Sequence, residues 1–383
     1  MGALASVIIT EDFWRQTEPL LMSPHAGLEH WLGAQPAFQG RVFFKTSGST
    51  GEAKYVCLSR AALRASARMV NAHLEATGAD RWLGALPQHH VGGFGVAARA
   101  SESGSAVSFL TSAWNPLEFC QAVTCIGATL TSLVPTQVFD LVAASSRAPS
   151  TLRAVLVGGG ALESGLEREA RAMGWPLLKT FGMTETASQI ATQPLGSDQD
   201  SPLVLLPGWE ADTNPEGFLR VRGEALFSGY ILGDGDSYHV DAARDEQGWF
   251  VTPDLVRLDG NSLVFVGRSG HRLKIKGELV NLAALRLDLE AAALACGQDP
   301  LASTVIAVPH LRDEHTLVLV TESQLSEEQR EHLRQRYDSA VNGLVRLQKA
   351  IAVPQLPRTA LGKLEEAALE REVKARMHPQ SLP

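Results

Sequence analysis

From residue 40 to about 182, short apolar runs rich in β-formers alternate with segments of helical period. RVFFKT precedes AALRASARMVNAHLEA and WLGALP, and TLTSLVP, TQVFDLVAA, LRAVLVGGG, LEREARAMG and PLLKTFG continue the pattern. This alternation predicts an α/β sheet with covering helices. In the helix expected after Ser59, that residue caps the free N–H groups, Leu63, Val70 and Leu74 recur at helical spacing, and Gly78 closes it. Between about 203 and 266 the helical period disappears, and Gly and Pro turns separate FLRVRG, ALFSGYI, WFVTPDLVRL and SLVFVG, which predicts a small all-β subdomain. After Arg268 the pattern is mixed: LKIKG, a helix from Asn281 to about Ala295, strands STVIAVP and HTLVLVTES, a helix opened by the capping box Ser326 to Gln329, and a last helix from about Leu364. That is an independent α+β domain of roughly 115 residues.

Composition narrows the classes. The 383 residues, 45% hydrophobic and 20% charged, suffice for more than one core. A net charge of −8 argues against a nucleic-acid surface, which needs clustered Lys and Arg, so any phosphate must be held locally. Cys57, Cys120, Cys125 and Cys296 are too irregularly spaced for a disulfide framework or a zinc knuckle, and a reducing cytoplasm fits. The N-terminus lacks a basic segment followed by an apolar run, and no window reaches the ~18 apolar residues of a membrane span. The expectation is a protein neither exported nor membrane-spanning.

Chemistry concentrates in a few loops. Thr46 to Lys54, TSGSTGEAK, directly follows the strand RVFFK. Gly48 and Gly51 let backbone N–H groups approach phosphate oxygens, Thr46, Ser47, Ser49 and Thr50 add hydroxyl donors, and Lys54 supplies charge. The Lys falls three residues after Gly51 with no Ser or Thr behind it, so this is not a P-loop of GxxxxGK[ST] type. TFGMTETASQIAT, Thr180 to Thr192, ends another apolar run, where an α/β sheet places its ligand crevice. There Glu185 can hold a magnesium ion, Thr184 can donate to a phosphate oxygen, and Phe181 offers a face to a purine. Gly158, Gly159 and Gly160 end a third strand and leave bare backbone for a ligand, without the spacing of a dinucleotide fingerprint. His89 and His90 follow WLGALP; adjacent side chains are expected to point apart, which suits a pocket wall better than a metal pair. LPRTALGKLEE sets Lys363 between a Gly turn and a helix, where a movable point charge can enter and leave a phosphate site. Each stretch by itself is also compatible with a plain turn.

Together and in this order, these stretches resemble the superfamily of acyl-CoA synthetases, peptide-synthetase adenylation domains and firefly-type luciferases, over roughly residues 40 to 370. TSGSTGEAK resembles its phosphate loop, TFGMTET its adenylate and magnesium motif, FVTPDLV its ribose aspartate segment, GRSGHRLKIKG its hinge and glycine loop, and PRTALGK its catalytic-lysine loop. The resemblance implies a large N-terminal α/β domain, residues 1–267, containing the β subdomain at 203–266, and a small mobile α+β lid, residues 268–383. ATP, Mg²⁺ and CoA are implied as cofactor and co-substrates, with a small carboxylic acid. The phosphate loop, Gly158 to Gly160, Phe181, Gly182 and Met183 would form the nucleotide site, Asp254 and Arg268 would hold the ribose, and Thr184, Glu185 and Lys363 would carry adenylation. Lys274, Lys276 and Gly277 would line the CoA path, and Gly270 would be the hinge. FGMTETASQIAT is especially similar to o-succinylbenzoate-CoA ligases, which makes Ser188 and Gln189 substrate candidates, with His90 and Arg99 for the second carboxylate.

The sequence departs from the pattern in places. The N-terminal segment is short and is read as a compact complete form, with a truncated form as the alternative, Pro253 stands where the family has Gly before the ribose aspartate, Gly270 replaces a charged hinge residue, and Ala53 replaces a Pro. Ligation of another aryl or fatty acid, a non-catalytic nucleotide-binding relative and a luciferase-like oxygenase stay open, as does a homodimer.

Overall fold

The computed structural model describes residues 9–47, 53–233, 237–268, 272–275, 278–310, 314–358 and 364–377. The chain divides into two compact units, Met1–Thr252 with Arg257–Val264, and Pro253–Val256 with Phe265–Pro383.

In the first unit, parallel strands lie in the order Ala106–Phe109, Arg81–Gly84, Leu130–Leu133, Ala154–Val157 and Leu177–Phe181. Leu130–Leu133 and Ala154–Val157 are buried at every position, as strands covered on both faces must be. Phe119, Val123, Leu141, Val155, Trp175 and Leu177 share one core between sheet and helices. Arg153 at the foot of this sheet grips Asp80 through Nε and Nη2 at 2.8 and 2.9 Å. The Asp80 carboxyl is pulled in two directions. Burial raises it, but the Arg153 fork, the Thr77 N–H and the Thr129 hydroxyl outweigh burial and hold it at about 2.

A second sheet is built on the hairpin of Arg41–Ser47 and Ala53–Ser59, with Leu20–Leu21 added in parallel and Gly229–Gly233 antiparallel. The segment 203–266 has no helix among its described residues, in keeping with its lost helical period. It does not close on itself as a subdomain, however: Gly229–Gly233 and Tyr238–Asp241 join the hairpin's sheet, while its other strands extend the long one. A period of two reveals a strand but not its partner.

The helix Arg60–His73 starts as expected, with the Ser59 hydroxyl accepting from Ala62 N at 2.9 Å. It ends earlier than Gly78. Glu75 adopts φ +51° and the Ala76 N–H closes on Asn71 O at 2.9 Å, so the helix is sealed before the glycine is reached. The helix Val91–Ser103 goes unmarked by periodicity because it is buried nearly all round and opens on Gly92 and Gly93. Gly93 lies so close to the Leu86 and Pro87 carbonyls that a Cβ there would overlap both.

In the second unit, Ser303–His310 and Glu314–Glu322 pair antiparallel and Lys349–Val353 adds in parallel. Alternate residues fill two cores: Val305, Leu317 and Leu319 meet Leu289, Leu333 and Tyr337, while Ile306, Val318 and Val320 meet Leu369 and Val373. The helix Glu327–Ala340 opens on the expected box, Ser326 Oγ accepting from Gln329 N at 3.2 Å and Gln329 Oε1 from Ser326 N at 2.8 Å. Among the described residues no helix is long and apolar enough to cross a membrane.

Candidate active site

Two strand ends of the parallel sheet are locked to each other. Thr180 Oγ1 donates to Val157 O at 3.2 Å, and a Cβ on Gly158 would stand 2.5 Å from that hydroxyl. Gly159 takes φ +83°, the left-handed region, so the turn Gly158 to Gly160 demands glycine both for space and for conformation. The backbone after the neighbouring strand is equally constrained. Thr184–Thr186 forms a single 3-10 turn in which Thr186 Oγ1 accepts from Met183 N at 3.1 Å. Ala187 and Ser188 follow at φ +52° and +120°, a conformation that costs non-glycine residues energy and is held here by Ser66 Oγ donating to Ala187 O at 2.9 Å. A Cβ on Gly182 would overlap the Ser188 carbonyl oxygen.

The strained segment presents Ser188 to a buried cation. Arg99, 2% exposed, donates from Nη2 to Ser188 Oγ at 3.0 Å and from Nη1 to Ser132 Oγ at 3.3 Å. Its side chain runs back along its own helix over Gly95, where a Cβ would stand 3.0 Å from Nη2. The Asn71 amide fixes the Arg99 carbonyl at 2.8 Å, and the guanidinium lies 5.7 Å from the Trp82 ring. Among the described residues it faces no carboxylate within salt-bridge distance, and burial lowers it to about 10. Ser132 and Asn71 are site residues that sequence reasoning missed, since a Ser inside an apolar strand and an Asn inside a helix carry no motif.

Glu185 connects to the hairpin. Tyr230 Oη donates to Glu185 Oε1 at 2.8 Å, and the Lys54 ammonium sits 3.2 Å from the centre of the Tyr230 ring. Thr46 Oγ1 donates to Lys54 O at 3.3 Å across the base of the loop. Tyr230 was another omission; its only sequence signal is a polar-tipped aromatic in the strand FSGYI.

Other expected residues are placed differently. Gln189 is buried, and its Oε1 accepts from Thr192 Oγ1 at 2.7 Å within its own turn. His90 takes the N-cap position of Val91–Ser103 without capping it through its side chain. The rings of His89 and His90 do not point apart as expected: they lie 4.3 Å apart at 44°, because the turn that starts the helix bends the chain back at this pair. Burial lowers the His89 imidazole. Phe181 and Met183 are partly buried beside these loops. A cavity of about 390 Å³ bounded by Arg68, Asn71, Glu75 and Glu102 is lined by none of the residues expected from the sequence, and Arg68 there already faces Glu102 and Glu224.

In the second unit, Asp254, 5% exposed, meets Arg268 Nε at 3.4 Å, which brings the two expected ribose residues together. Lys274 lies on the strand Arg272–Ile275. A bridge between Arg358 and Leu364 ties the ends of the segment that carries Lys363. Gly48, Ser49, Thr50, Gly51, Gly270, Lys276, Gly277 and Lys363 lie outside the described residues, as does the Ser47 side chain.

Residues 42–231 match the family model of the AMP-binding enzymes. The chain is 29% identical over 313 residues to a 2-succinylbenzoate–CoA ligase of Bacillus velezensis, a match covering 76% of this chain and 61% of that protein. It is 34% identical over 226 residues to the 2-succinylbenzoate–CoA ligase of Escherichia coli, 58% of this chain and 46% of that one. The chain thus spans about half to three-fifths of the length of the curated relatives it matches. Among solved structures it is similar to an o-succinylbenzoate coenzyme A synthetase (MenE) of Bacillus subtilis in complex with ATP and magnesium, at 25% identity and TM-score 0.70, over 86% of this chain and 69% of that one. The same enzyme in complex with the acyl-adenylate OSB-AMP shares the fold at TM-score 0.73 and 23% identity, over 86% and 68% of the two chains.

Proposed function

We infer the activity from the match of residues 42–231 to the family model of the AMP-binding enzymes. It is an AMP-forming acid–thiol ligase that converts 2-succinylbenzoate, ATP and CoA to 2-succinylbenzoyl-CoA, AMP and pyrophosphate, a cytoplasmic step of menaquinone biosynthesis. The observation that carries the substrate is Arg99. A buried guanidinium anchored by two serines and facing no carboxylate among the described residues suits an acid that keeps one carboxylate after the other has been activated. A monocarboxylic aryl or fatty acid would leave that charge without its ion.

In the first half-reaction a substrate carboxylate oxygen attacks the α-phosphorus of ATP in line, and the bond to the pyrophosphate oxygen breaks. No protein nucleophile is needed, so positioning and charge neutralisation supply the rate. The loop between Thr46 and Lys54 would cradle the phosphates, Lys54 would bring charge to them, and Thr184 would donate to a phosphate oxygen. The bare turn Gly158 to Gly160 and the face of Phe181 would receive the nucleoside, with Asp254 and Arg268 on the ribose hydroxyls. Glu185 fits magnesium: it is partly exposed, one of its carboxylate oxygens is fixed by Tyr230, and the other accepts no hydrogen bond among the described residues. When bound, the ion would neutralise charge on the phosphates of ATP. Lys363 would stabilise the transition state of this step and withdraw before the second, in which the CoA thiolate attacks the acyl carbonyl and AMP leaves. Lys274, Lys276 and Gly277 would line the CoA path, with Gly270 as the hinge.

The test is AMP and thioester formation by the purified protein with ATP, magnesium, CoA and o-succinylbenzoate, beside benzoate and a medium-chain fatty acid. Selective turnover of o-succinylbenzoate supports the reading, turnover of another acid moves the substrate, and no turnover of any acid removes the ligase activity.

A further inference from the structure

Lys54 and Glu185 carry opposite charges at one site, yet they form no ion pair with each other among the described residues. A ring stands between them. The strand Gly229–Gly233 pairs with Ala53–Ser59 so that Tyr230 lies opposite Val56 and Leu232 opposite Lys54. Residues two apart on a strand share a face, which makes Lys54 and Tyr230 diagonal neighbours. The ammonium settles over the ring at 3.2 Å from its centre, and the phenol hydroxyl reaches Glu185 Oε1 at 2.8 Å. The ring itself is braced. Phe227 meets it edge-on at 4.7 Å, Phe250 supports Phe227 at 4.9 Å, and Phe227 N–H donates to Glu185 O at 2.8 Å. Tyr230 is 6% exposed.

We propose that Tyr230 is a positioning residue that holds the metal-binding carboxylate of Glu185 in one orientation and keeps it from being neutralised by Lys54. This rests on the roles given above to Glu185 and Lys54. A direct Lys54–Glu185 pair would satisfy both charges and leave neither for its ligand: Lys54 would be withheld from the phosphates and Glu185 from the ion. The ring prevents this by offering each charge a weaker partner. A cation over a π face is exchanged for a phosphate oxygen at small cost, and one phenolic hydrogen bond occupies one carboxylate oxygen and leaves the second. A cation on the ring also draws density from the phenol and strengthens its O–H as a donor, so the two contacts reinforce each other.

The experiment separates the two contacts. ATP binding is measured by calorimetry, without acid or CoA, in magnesium and in EDTA, for the wild type, Tyr230→Phe, Tyr230→Leu and Tyr230→Leu combined with Glu185→Gln. In the wild type magnesium tightens ATP binding. Tyr230→Phe keeps the ring and loses only the hydroxyl, and it is expected to reduce that magnesium enhancement about tenfold while leaving Kd in EDTA unchanged. Tyr230→Leu removes the ring, lets Lys54 reach Glu185, and weakens ATP binding in EDTA as well, and adding Glu185→Gln restores the EDTA value by releasing Lys54. A Tyr230→Phe protein with the wild-type enhancement overturns the proposal, as does a loss of binding in EDTA equal to that in magnesium, which would mark Tyr230 as merely structural. A wild type whose ATP binding is absent or indifferent to magnesium instead removes the roles given to Glu185 and Lys54, and the proposal with them.

Discussion

Arg99 Nη2 lies 3.0 Å from the hydroxyl of Ser188, a residue held at φ +120°, so a strained backbone is aimed at a buried positive charge. Strain of that kind persists only where surrounding contacts fix it, here the Ser66 bond to Ala187 O and the Trp209 Nε1 bond to Gln189 O at 3.1 Å. The pairing motivates the first prediction.

Arg99→Met should lower kcat/KM for o-succinylbenzoate about 100-fold and leave any turnover of benzoate nearly untouched, because on the proposed reading only the dicarboxylate would use the guanidinium. Melting temperature should hold or rise. A base whose folded value is lowered to about 10 costs stability while both states are charged, at neutral pH, and that cost fades only as pH climbs past the lowered value. Differential scanning calorimetry beside the two assays checks both halves. A large fall in melting temperature would show that Arg99 is there for the fold.

Asp80→Asn should destabilise the first unit at neutral pH and spare its chemistry. The folded carboxyl is held at about 2 against an ordinary 3.8, so its contribution of about 2 kcal/mol is fully present above pH 4 and is lost as pH falls through the folded value. Urea unfolding at pH 7 and at pH 3 reads this as a gap between wild type and variant that narrows on acidification. A gap independent of pH would remove the Asp80–Arg153 pair as its source.

Gly158→Ala should lower kcat about tenfold or more, because the new methyl would stand 2.5 Å from Thr180 Oγ1 and displace the turn. Adding Thr180→Ala removes the colliding hydroxyl and should recover much of the loss. Failure of that rescue would place the cost elsewhere in the turn.

Lys363→Ala should abolish acyl-adenylate formation and leave CoA transfer from a supplied adenylate largely intact. Release of pyrophosphate and of thioester from the synthetic adenylate, measured separately, decides it. Equal loss of both would refute the division of labour assigned to this lysine.

Features that depend on neighbours along the chain were legible from the residues alone. The alternation of apolar runs, the Ser59 cap and the Ser326 to Gln329 box are local, and strands and helices formed where those signals stood. Gly158 and Gly159 were legible because a close approach and a left-handed turn leave few other residues possible. What the sequence could not decide was which strand meets which. Gly229–Gly233 was visible as a strand but not as the partner of Ala53–Ser59, and that pairing alone puts Tyr230 between Lys54 and Glu185. Likewise Asn71, Ser132 and Ser188 reach Arg99 from three separate segments, 28, 33 and 89 residues away. Local propensity is fixed by adjacent residues, whereas strand partners and the surroundings of a buried charge are fixed by packing over the whole unit, and a period read along the chain carries no information about them.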